Sequence, residues 1–263
     1  MKQDKISVLL PVYNTNSSHL KSCLHSIFLQ TFQDFELVIC NNGSTQESTI
    51  AVINDAEKED RVRVINVPQQ RGKKNLSVAI NAGLVACKNE LIARMDSDDI
   101  MFPERLERQL NYFNNYWEDV DILGTQLVTS DNFINVDLAY KNVQTNSIDK
   151  NIINNFHKEI IPKNEYKIST HFCNHPTIMF KKSVILDLGG YKDTPNYIPE
   201  DFCLWTKALK RGYKIRNMQE ILLWYRADAI GLSLKDSQRP EWYQAIAESR
   251  NNLFDFERYI WEY

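Results

Sequence analysis

Three aspartates within four residues carry the clearest chemical signal in the sequence. Asp96, Asp98 and Asp99 follow directly on a short apolar segment, Leu91–Met95. Their carboxylates repel one another unless a cation or solvent compensates for the charge. Hard divalent ions such as Mg2+ or Mn2+ take oxygen ligands of this kind, often together with substrate phosphates. The pattern therefore favours a divalent metal site, and the alternative is a solvated turn that caps the next helix.

A basic loop, Arg71-Gly72-Lys73-Lys74, precedes a segment with helical periodicity. Its cations and the helix N-terminus behind them would both favour a diphosphate group. The glycine patterns G-x-x-x-x-G-K-[ST] and G-x-G-x-x-G do not occur in the chain, so neither common phosphate loop is indicated. On these residues alone, an exposed charged turn is the alternative.

A second acidic pair, Glu200-Asp201, stands before a predicted helix, Phe202–Arg211. One of these carboxylates could act as a general base, and capping of the helix is the plainer alternative. His171, Cys173 and His175 alternate as zinc ligands on a strand would, but no fourth ligand lies nearby in the sequence. We therefore do not expect zinc.

Apolar runs alternate with helical spacing over the first half of the chain, which predicts an α/β fold with a mostly parallel sheet and helices on both faces. Short strands are expected at Ile6–Pro11, Phe35–Cys40, Val62–Val67 and Leu91–Met95. Ser17 or Ser18 is expected to cap the first helix, and Pro103 to open a later one. In such sheets ligands bind outside the carboxyl ends of the strands. Three segments should therefore meet at one edge: Pro11–Asn14, Asn41-Asn42 and Asp96–Asp98.

The second half is less regular. Strands are predicted at Val120–Val128 and Pro176–Phe180, and two short ones at Ile215–Met218 and Ile221–Tyr225. The segment from Ser130 to about Lys167 is polar, rich in Asn and only weakly periodic. The tail from Pro240 onward is expected to be helical.

Composition narrows the class of protein. The chain has 263 residues, a net charge of −3 and a pI of about 6.0, which argues against a nucleic-acid binder. No apolar run reaches the length of a membrane span, and the first residues lack the apolar core of a signal peptide. Five scattered cysteines suit a reduced, cytoplasmic protein.

Taken together, these pieces resemble the family 2 glycosyltransferases of the GT-A fold, which use nucleotide-diphosphate sugars and invert the anomeric centre. The resemblance covers roughly residues 6–226. It is carried by several motifs in order: I-S-V-L-L-P-V-Y-N, S-I-F-L-Q-T-F-Q-D-F-E-L-V-I, N-L-S-V-A-I-N-A-G, A-R-M-D-S-D-D-I-M-F-P-E-R-L-E-R-Q, H-P-T-I-M-F-K-K-S-V, G-G-Y, E-D-F-C-L-W and L-L-W-Y-R.

The resemblance implies a role for each matching residue. The nucleotide would be bound by Pro11, Val12, Tyr13, Asn14, Asn41, Asn42, Arg71, Gly72 and Asp96, with Asp96 on the ribose side. Asp98, with Asp96 beside it, would hold Mn2+ or Mg2+ at the diphosphate. Asp201 would be the general base, with Glu200 beside it. The donor sugar or the acceptor would lie near Asp99, His175 and Trp205.

Two departures from the family pattern matter. Asn41-Asn42 stands where the family usually has two aspartates. The hydrogen bond to the nucleobase therefore loses its charge-assisted part, and selectivity for the nucleobase should be weaker or altered. The Q-x-x-R-W motif of processive relatives is replaced by Gln238-Arg239-Pro240-Glu241-Trp242, which indicates addition of a single sugar.

The organisation expected from this resemblance is a glycosyltransferase domain over residues 1–236, with a nucleotide half to about 128 and an acceptor half from about 129, then a helical tail over 237–263. The acceptor would be a glycan or glycolipid of bacterial surface polysaccharide or lipooligosaccharide synthesis, and residues 130–167 would choose it. The aromatic tail could pack on the domain, touch the inner face of the membrane or form a homodimer. Two alternative functions remain open here: a non-catalytic sugar-nucleotide or glycan-binding subunit, and a sugar-phosphate nucleotidyltransferase.

Overall fold

The computed structural model describes residues 3–68, 76–130, 173–193 and 200–226. Its strands are β1 (Ile6–Val12), β2 (Phe35–Asn41), β3 (Val62–Asn66), β4 (Leu91–Arg94), β5 (Ile100–Met101), β6 (Ile122–Ser130), β7 (Met179–Lys181) and β8 (Ile215–Arg226). Its helices are α1 (Ser17–Phe28), α2 (Glu47–Ala56), α3 (Leu76–Ala86), α4 (Arg105–Asn115), α5 (Lys182–Asp187) and α6 (Glu200–Arg211). Short 3-10 turns occupy Trp117–Asp119 and His175–Thr177.

The described strands form one sheet in the order β3-β2-β1-β4-β7-β6-β8-β5. Strands β1 to β4 pair in parallel, so their carboxyl ends share one edge. Strand β7 runs antiparallel between β4 and β6, and β6 pairs in parallel with β8. The predicted α/β architecture is confirmed, with the parallel part concentrated in the first half.

Two apolar layers enclose the sheet. Along β1, Val8 and Leu10 pack in the core formed with α1, α2 and α4, whereas Leu9 packs with α3, α5 and α6. Each of these three side chains is fully buried, which stabilises the fold by about 1.5–3 kcal/mol per side chain. The sheet is therefore a rigid support for the loops at its carboxyl edge.

A buried polar network fastens α4 to the centre of the sheet. Arg105 Nη2 donates to the carbonyls of Arg94 (2.9 Å) and Ile178 (3.2 Å). Gln109 Nε2 donates to the carbonyls of Leu123 and Thr177, both at 2.9 Å. These bonds fix the end of β4 and the turn before β7, the two places from which the candidate site is built.

Several predicted boundaries are corrected in the first half. The cap of α1 is Asn16, whose side chain accepts from the Ser18 N–H, and not Ser17 or Ser18. Helix α4 begins at Arg105 and not at Pro103. Both differences leave the predicted order of elements unchanged.

In the second half, the structure overturns two strand predictions. Pro176 and Thr177 belong to a 3-10 turn, and only Met179–Lys181 is extended, because Pro lacks the N–H that a sheet requires. The two strands predicted near the C-terminal end are one, β8, which crosses exposed Gln219 and Glu220 with register shifts against β6. Glu200 and Asp201, expected before their helix, form its first turn.

Several expectations fall outside the described residues. They are the basic loop with Arg71 and Gly72, the acceptor segment at 131–167, His171 and the tail over 237–263. The division into a nucleotide half, an acceptor half and a tail therefore stays a prediction.

Candidate functional site

Three loops at the carboxyl edge of the parallel strands are tied together by hydrogen bonds. The Asn42 N–H donates to the Val12 carbonyl (2.8 Å), and Asn14 Oδ1 accepts from the Thr45 N–H at the same distance. The hydroxyls of Thr15 and Ser97 lie 2.6 Å apart. The expectation that the segments after β1, β2 and β4 meet at one edge is confirmed.

Asn14 owes its position to an unusual backbone angle. Its φ is +46°, in the left-handed region that Asn tolerates better than most residues. Its side-chain oxygen accepts from both Thr45 and Gln46, so it satisfies free N–H groups at the start of α2. The structure thus gives Asn14 a stabilising role at this edge.

The remaining residues at this edge differ in what they expose. Pro11 and Val12 are buried, whereas Tyr13 is 47% exposed. Asn41 Nδ2 donates to Asn66 Oδ1 (2.9 Å). Asn42 is 7% exposed, and its Oδ1 has no hydrogen-bond partner within the described residues. A buried carbonyl oxygen without a donor is costly, which marks this position as one that a ligand N–H would complete.

The acidic turn after β4 is organised by a buried arginine. Arg94 is 2% exposed, and its guanidinium forms two contacts with the Asp96 carboxylate, at 2.5 and 2.7 Å. Such bidentate pairs fix the orientation of both groups. Sequence reasoning missed Arg94, although an arginine inside an apolar strand two residues before an aspartate is itself a signal.

Asp98 and Asp99 lie differently on this turn. The Asp98 side chain is partly exposed, whereas Asp99 is fully buried and its Oδ1 accepts from the Arg226 N–H (2.9 Å). Arg226 Nε in turn donates to the Asp98 carbonyl (3.0 Å). Asp99 therefore links the turn to the end of β8, and its contact with donor or acceptor stays a prediction.

Negative charge accumulates at the turn. Burial and then the charges of Asp96 and Asp98 raise the pKa of Asp99 well above its usual range. Within the described ranges, no three His, Cys, Asp or Glu side chains stand close enough to hold a metal ion by themselves. Asp96 and Asp98 are both partly exposed and offer carboxylate oxygens, the ligand type that Mg2+ and Mn2+ prefer.

A second acidic group lies at the N-terminus of α6. His175 Nδ1 is 3.9 Å from Glu200 Oε1 and equally far from Asp201 Oδ2. Asp201 Oδ1 accepts from the Phe202 N–H (2.8 Å). The His175 ring lies edge-on to Trp205, with centroids 5.9 Å apart. The structure thus brings together four residues that the sequence indicated separately: His175, Glu200, Asp201 and Trp205.

The carboxylates of this second group favour protonation. Burial, followed by the charge of Asp201, raises the pKa of Glu200 to about 7. Burial also raises the pKa of Asp201. The same effect, together with the charge of Arg94, lowers the pKa of His175 well below its usual range, so the ring is neutral. A carboxylate in such surroundings is a stronger base than one in water.

Arg94 connects the two groups. It pairs directly with Asp96. Its positive charge also offsets part of the rise that burial causes in the pKa of Glu200 and of Asp201. The acidic turn and the Glu200–Asp201 pair therefore both lie within electrostatic range of one buried guanidinium.

Comparison with solved structures defines the class: the fold is the GT-A fold of glycosyltransferases. The chain superposes on S. aureus TarS 1-349 in complex with UDP-GlcNAc with a TM-score of 0.66 at 16% identity, covering 92% of this chain and 64% of that one. It superposes on a mannosyltransferase from Pyrobaculum calidifontis, solved with GDP-Man and Mn2+, with a TM-score of 0.62 at 15% identity, covering 94% and 69%.

Sequence comparison identifies the family. Residues 7–189 match glycosyl transferase family 2, and the chain belongs to that family. It is 35% identical to the O-antigen biosynthesis glycosyltransferase WbnJ of Escherichia coli over 85% of this chain and 80% of the relative. It is 30% identical to an Escherichia coli UDP-Gal:alpha-D-GlcNAc-diphosphoundecaprenol beta-1,3-galactosyltransferase over 83% and 73%. The protein is a glycosyltransferase, as the motifs predicted.

No helix within the described ranges has both the length and the apolar character needed to cross a membrane.

Proposed function

We propose that this glycosyltransferase moves one sugar from a UDP-linked donor to a hydroxyl of a glycan or lipid-linked acceptor, with inversion, in the synthesis of a bacterial surface polysaccharide. The names of the relatives support this assignment, since they include an O-antigen biosynthesis enzyme and a galactosyltransferase whose name contains a diphosphoundecaprenol acceptor. The UDP-Gal in the name of the galactosyltransferase supports the choice of a UDP-linked donor.

The nucleotide is assigned to the edge formed by β1, β2 and β4. Exposed Tyr13 would lie against the base, Pro11 and Val12 would line its pocket, and the unpartnered Asn42 oxygen would accept from the base. Asp96, oriented by Arg94, would take the ribose side. Arg71 and Gly72 are assigned to the diphosphate on their residue types alone.

A divalent ion, Mn2+ or Mg2+, is assigned to Asp98 with Asp96. When bound, it would stabilise the negative charge that develops on the departing diphosphate. The partly exposed carboxylate of Asp98 supports this assignment, because a ligand in solvent can reach it.

Asp201 is assigned as the general base. It takes the proton from the acceptor hydroxyl while that oxygen attacks the anomeric carbon, and the bond from this carbon to the diphosphate oxygen breaks. A single displacement of this kind inverts the anomeric centre. Glu200, His175 and Trp205 would line the acceptor side, and the raised pKa of Asp201 suits proton removal near neutral pH.

One observation carries the proposal: the guanidinium of Arg94 pairs with Asp96 on the aspartate turn, and its charge also reaches the partly buried Glu200–Asp201 pair. The test is to incubate the purified protein with a panel of nucleotide sugars and Mn2+ and to measure nucleotide release. We expect release from a UDP-sugar, and loss of that release in the Asp98→Ala variant. Release from no nucleotide sugar, or full release by Asp98→Ala, would overturn the proposal.

A further inference from the structure

Tyr191 has no role in the proposed reaction. It contacts His175, which in turn faces the carboxylates of Glu200 and Asp201. Its hydroxyl lies 3.1 Å from His175 Nε2, and the two rings stack with centroids 5.5 Å apart. The other ring nitrogen, Nδ1, faces Glu200 and Asp201 at 3.9 Å each. Tyr191 is 2% exposed, so water does not compete freely for its hydroxyl.

When Glu200 and Asp201 are ionised, these contacts leave one favourable arrangement of protons. A neutral imidazole has one N–H and one lone pair. The Nδ1 side faces carboxylate oxygens, which accept hydrogen bonds and repel a lone pair, so the proton belongs on Nδ1. Nε2 then carries the lone pair, and the Tyr191 hydroxyl donates to it.

We propose that Tyr191 is a positioning residue: its hydroxyl holds His175 as the Nδ1–H tautomer, and this N–H orients the Glu200–Asp201 pair toward the acceptor. The inference deepens the proposed function and rests on it for the meaning of "acceptor". The tautomer itself follows from the geometry of four side chains, Tyr191, His175, Glu200 and Asp201, and requires no reaction.

Tyr191 is itself held by α3. Asn81 Nδ2 donates to the Tyr191 carbonyl (2.7 Å), and the Tyr191 N–H donates to Asn81 Oδ1 (2.9 Å). Asn81 can approach so closely because Gly190, with φ of +74°, has no side chain; a Cβ there would lie 2.6 Å from Asn81 Oδ1. Ser77 adds a bond to the Lys192 carbonyl (2.9 Å). Hydrogen bonds to the backbone of Tyr191 and its neighbour therefore fix the position of the Tyr191 ring.

The first test uses Tyr191→Phe, which keeps the ring and removes the hydroxyl. The matched control is Tyr213→Phe, which removes a hydroxyl that bonds Asp187 at the surface, outside the site. For UDP release from UDP-GlcNAc or UDP-Gal with Mn2+, we expect kcat to fall about tenfold in Tyr191→Phe, as the loss of one hydrogen bond predicts, with the donor KM within about twofold of the unmutated protein. Tyr213→Phe should change neither constant. An unchanged kcat in Tyr191→Phe would overturn the inference.

The second test reads the tautomer directly. Long-range 1H–15N spectra of protein with 15N-labelled histidine distinguish the two tautomers, and the His175→Asn variant assigns the signal among five histidines. We expect His175 to be neutral with its proton on Nδ1, and Tyr191→Phe to populate both tautomers. A proton on Nε2 in the unmutated protein would overturn the inference.

These two readouts separate the inference from the function on which it rests. If no nucleotide sugar is turned over but the Nδ1–H tautomer is present and depends on Tyr191, the proposed function fails and the positioning stands. If Tyr191→Phe does not fold, His175→Asn and His175→Leu replace it. Asn offers an amide N–H near the Nδ1 position, so it should retain several times more activity than Leu; equal activity of the two would overturn the inference.

Discussion

The fold places the two acidic regions of the site in different electrostatic surroundings. Asp96 forms a bidentate pair with a buried arginine at 2.5–2.7 Å, which fixes the orientation of its carboxylate. Glu200 and Asp201 each lie 3.9 Å from a neutral histidine, and burial raises the pKa of both carboxyl groups. On the proposed function this difference suits two tasks: an oriented carboxylate would bind the ribose and help to hold a cation, whereas a carboxylate that readily accepts a proton would serve as the general base.

The largest expected effect follows from removing the proposed general base, Asp201. Asp201→Asn keeps the size of the side chain but cannot take a proton, so UDP release should fall by about 10²–10⁴-fold, with UDP affinity unchanged by calorimetry. Asp55→Asn, an exposed aspartate on α2, is the matched control and should retain full activity. Activity of Asp201→Asn within a few-fold of the unmutated protein would erase the distinction between the two regions.

The next effect concerns the cation region. Asp98→Asn keeps the shape of the turn and removes one charge, so activation by Mn2+ should be lost or should require at least about tenfold more metal. Titration of UDP release with Mn2+ measures this change, with exposed Asp60→Asn as the control. The same Mn2+ response in both variants would show that the cation is held elsewhere.

The pH dependence of the reaction sharpens the comparison. Asp201 must be ionised to accept a proton, and burial raises its pKa, so activity is lost as pH falls through that raised value. We expect UDP release to decline about tenfold per pH unit on the acid side, beginning at a higher pH than the value of about 4 at which an exposed aspartate titrates. A rate that stays constant down to about pH 4 would contradict this sign.

The smallest expected effect is in the selectivity of the protein for the nucleobase of its ligand. Asn42→Asp restores a charge-assisted acceptor, so UDP should bind about three- to tenfold more tightly, with a smaller change for GDP. Calorimetric titration of both nucleotides measures this, and Asn54→Asp, which adds the same charge on an exposed face of α2, is the control. Equal affinities across all variants would remove the idea that Asn42 governs selectivity.

The sequence predicted the parallel half of the fold well, because each of β1 to β4 is a short apolar run followed by a helical pattern. It predicted the edge at which Asn14, Asn42 and Ser97 meet for the same reason. The strand predicted over Pro176–Phe180 begins only at Met179, because proline lacks the N–H that a strand needs for pairing.

The rest depends on contacts between distant parts of the chain. The bonds between Asn81 and Tyr191 span 110 residues, and a lone tyrosine after two glycines has no spacing that would reveal them. Arg94 is different, since its partner Asp96 is only two residues away and the pair could have been predicted from the sequence. Residue types indicate which chemical groups are present, and tertiary packing decides which of these groups lie together.

The most direct test of the central claim is a crystal structure of the protein soaked with Mn2+ and UDP, with anomalous diffraction recorded for manganese. We predict one anomalous peak within coordination distance of the Asp98 carboxylate and of the UDP diphosphate. The Asn42 side chain should then contact the uracil. A structure in which UDP and manganese are both bound elsewhere, or in which the turn at Asp96–Asp98 contacts neither, would contradict the account.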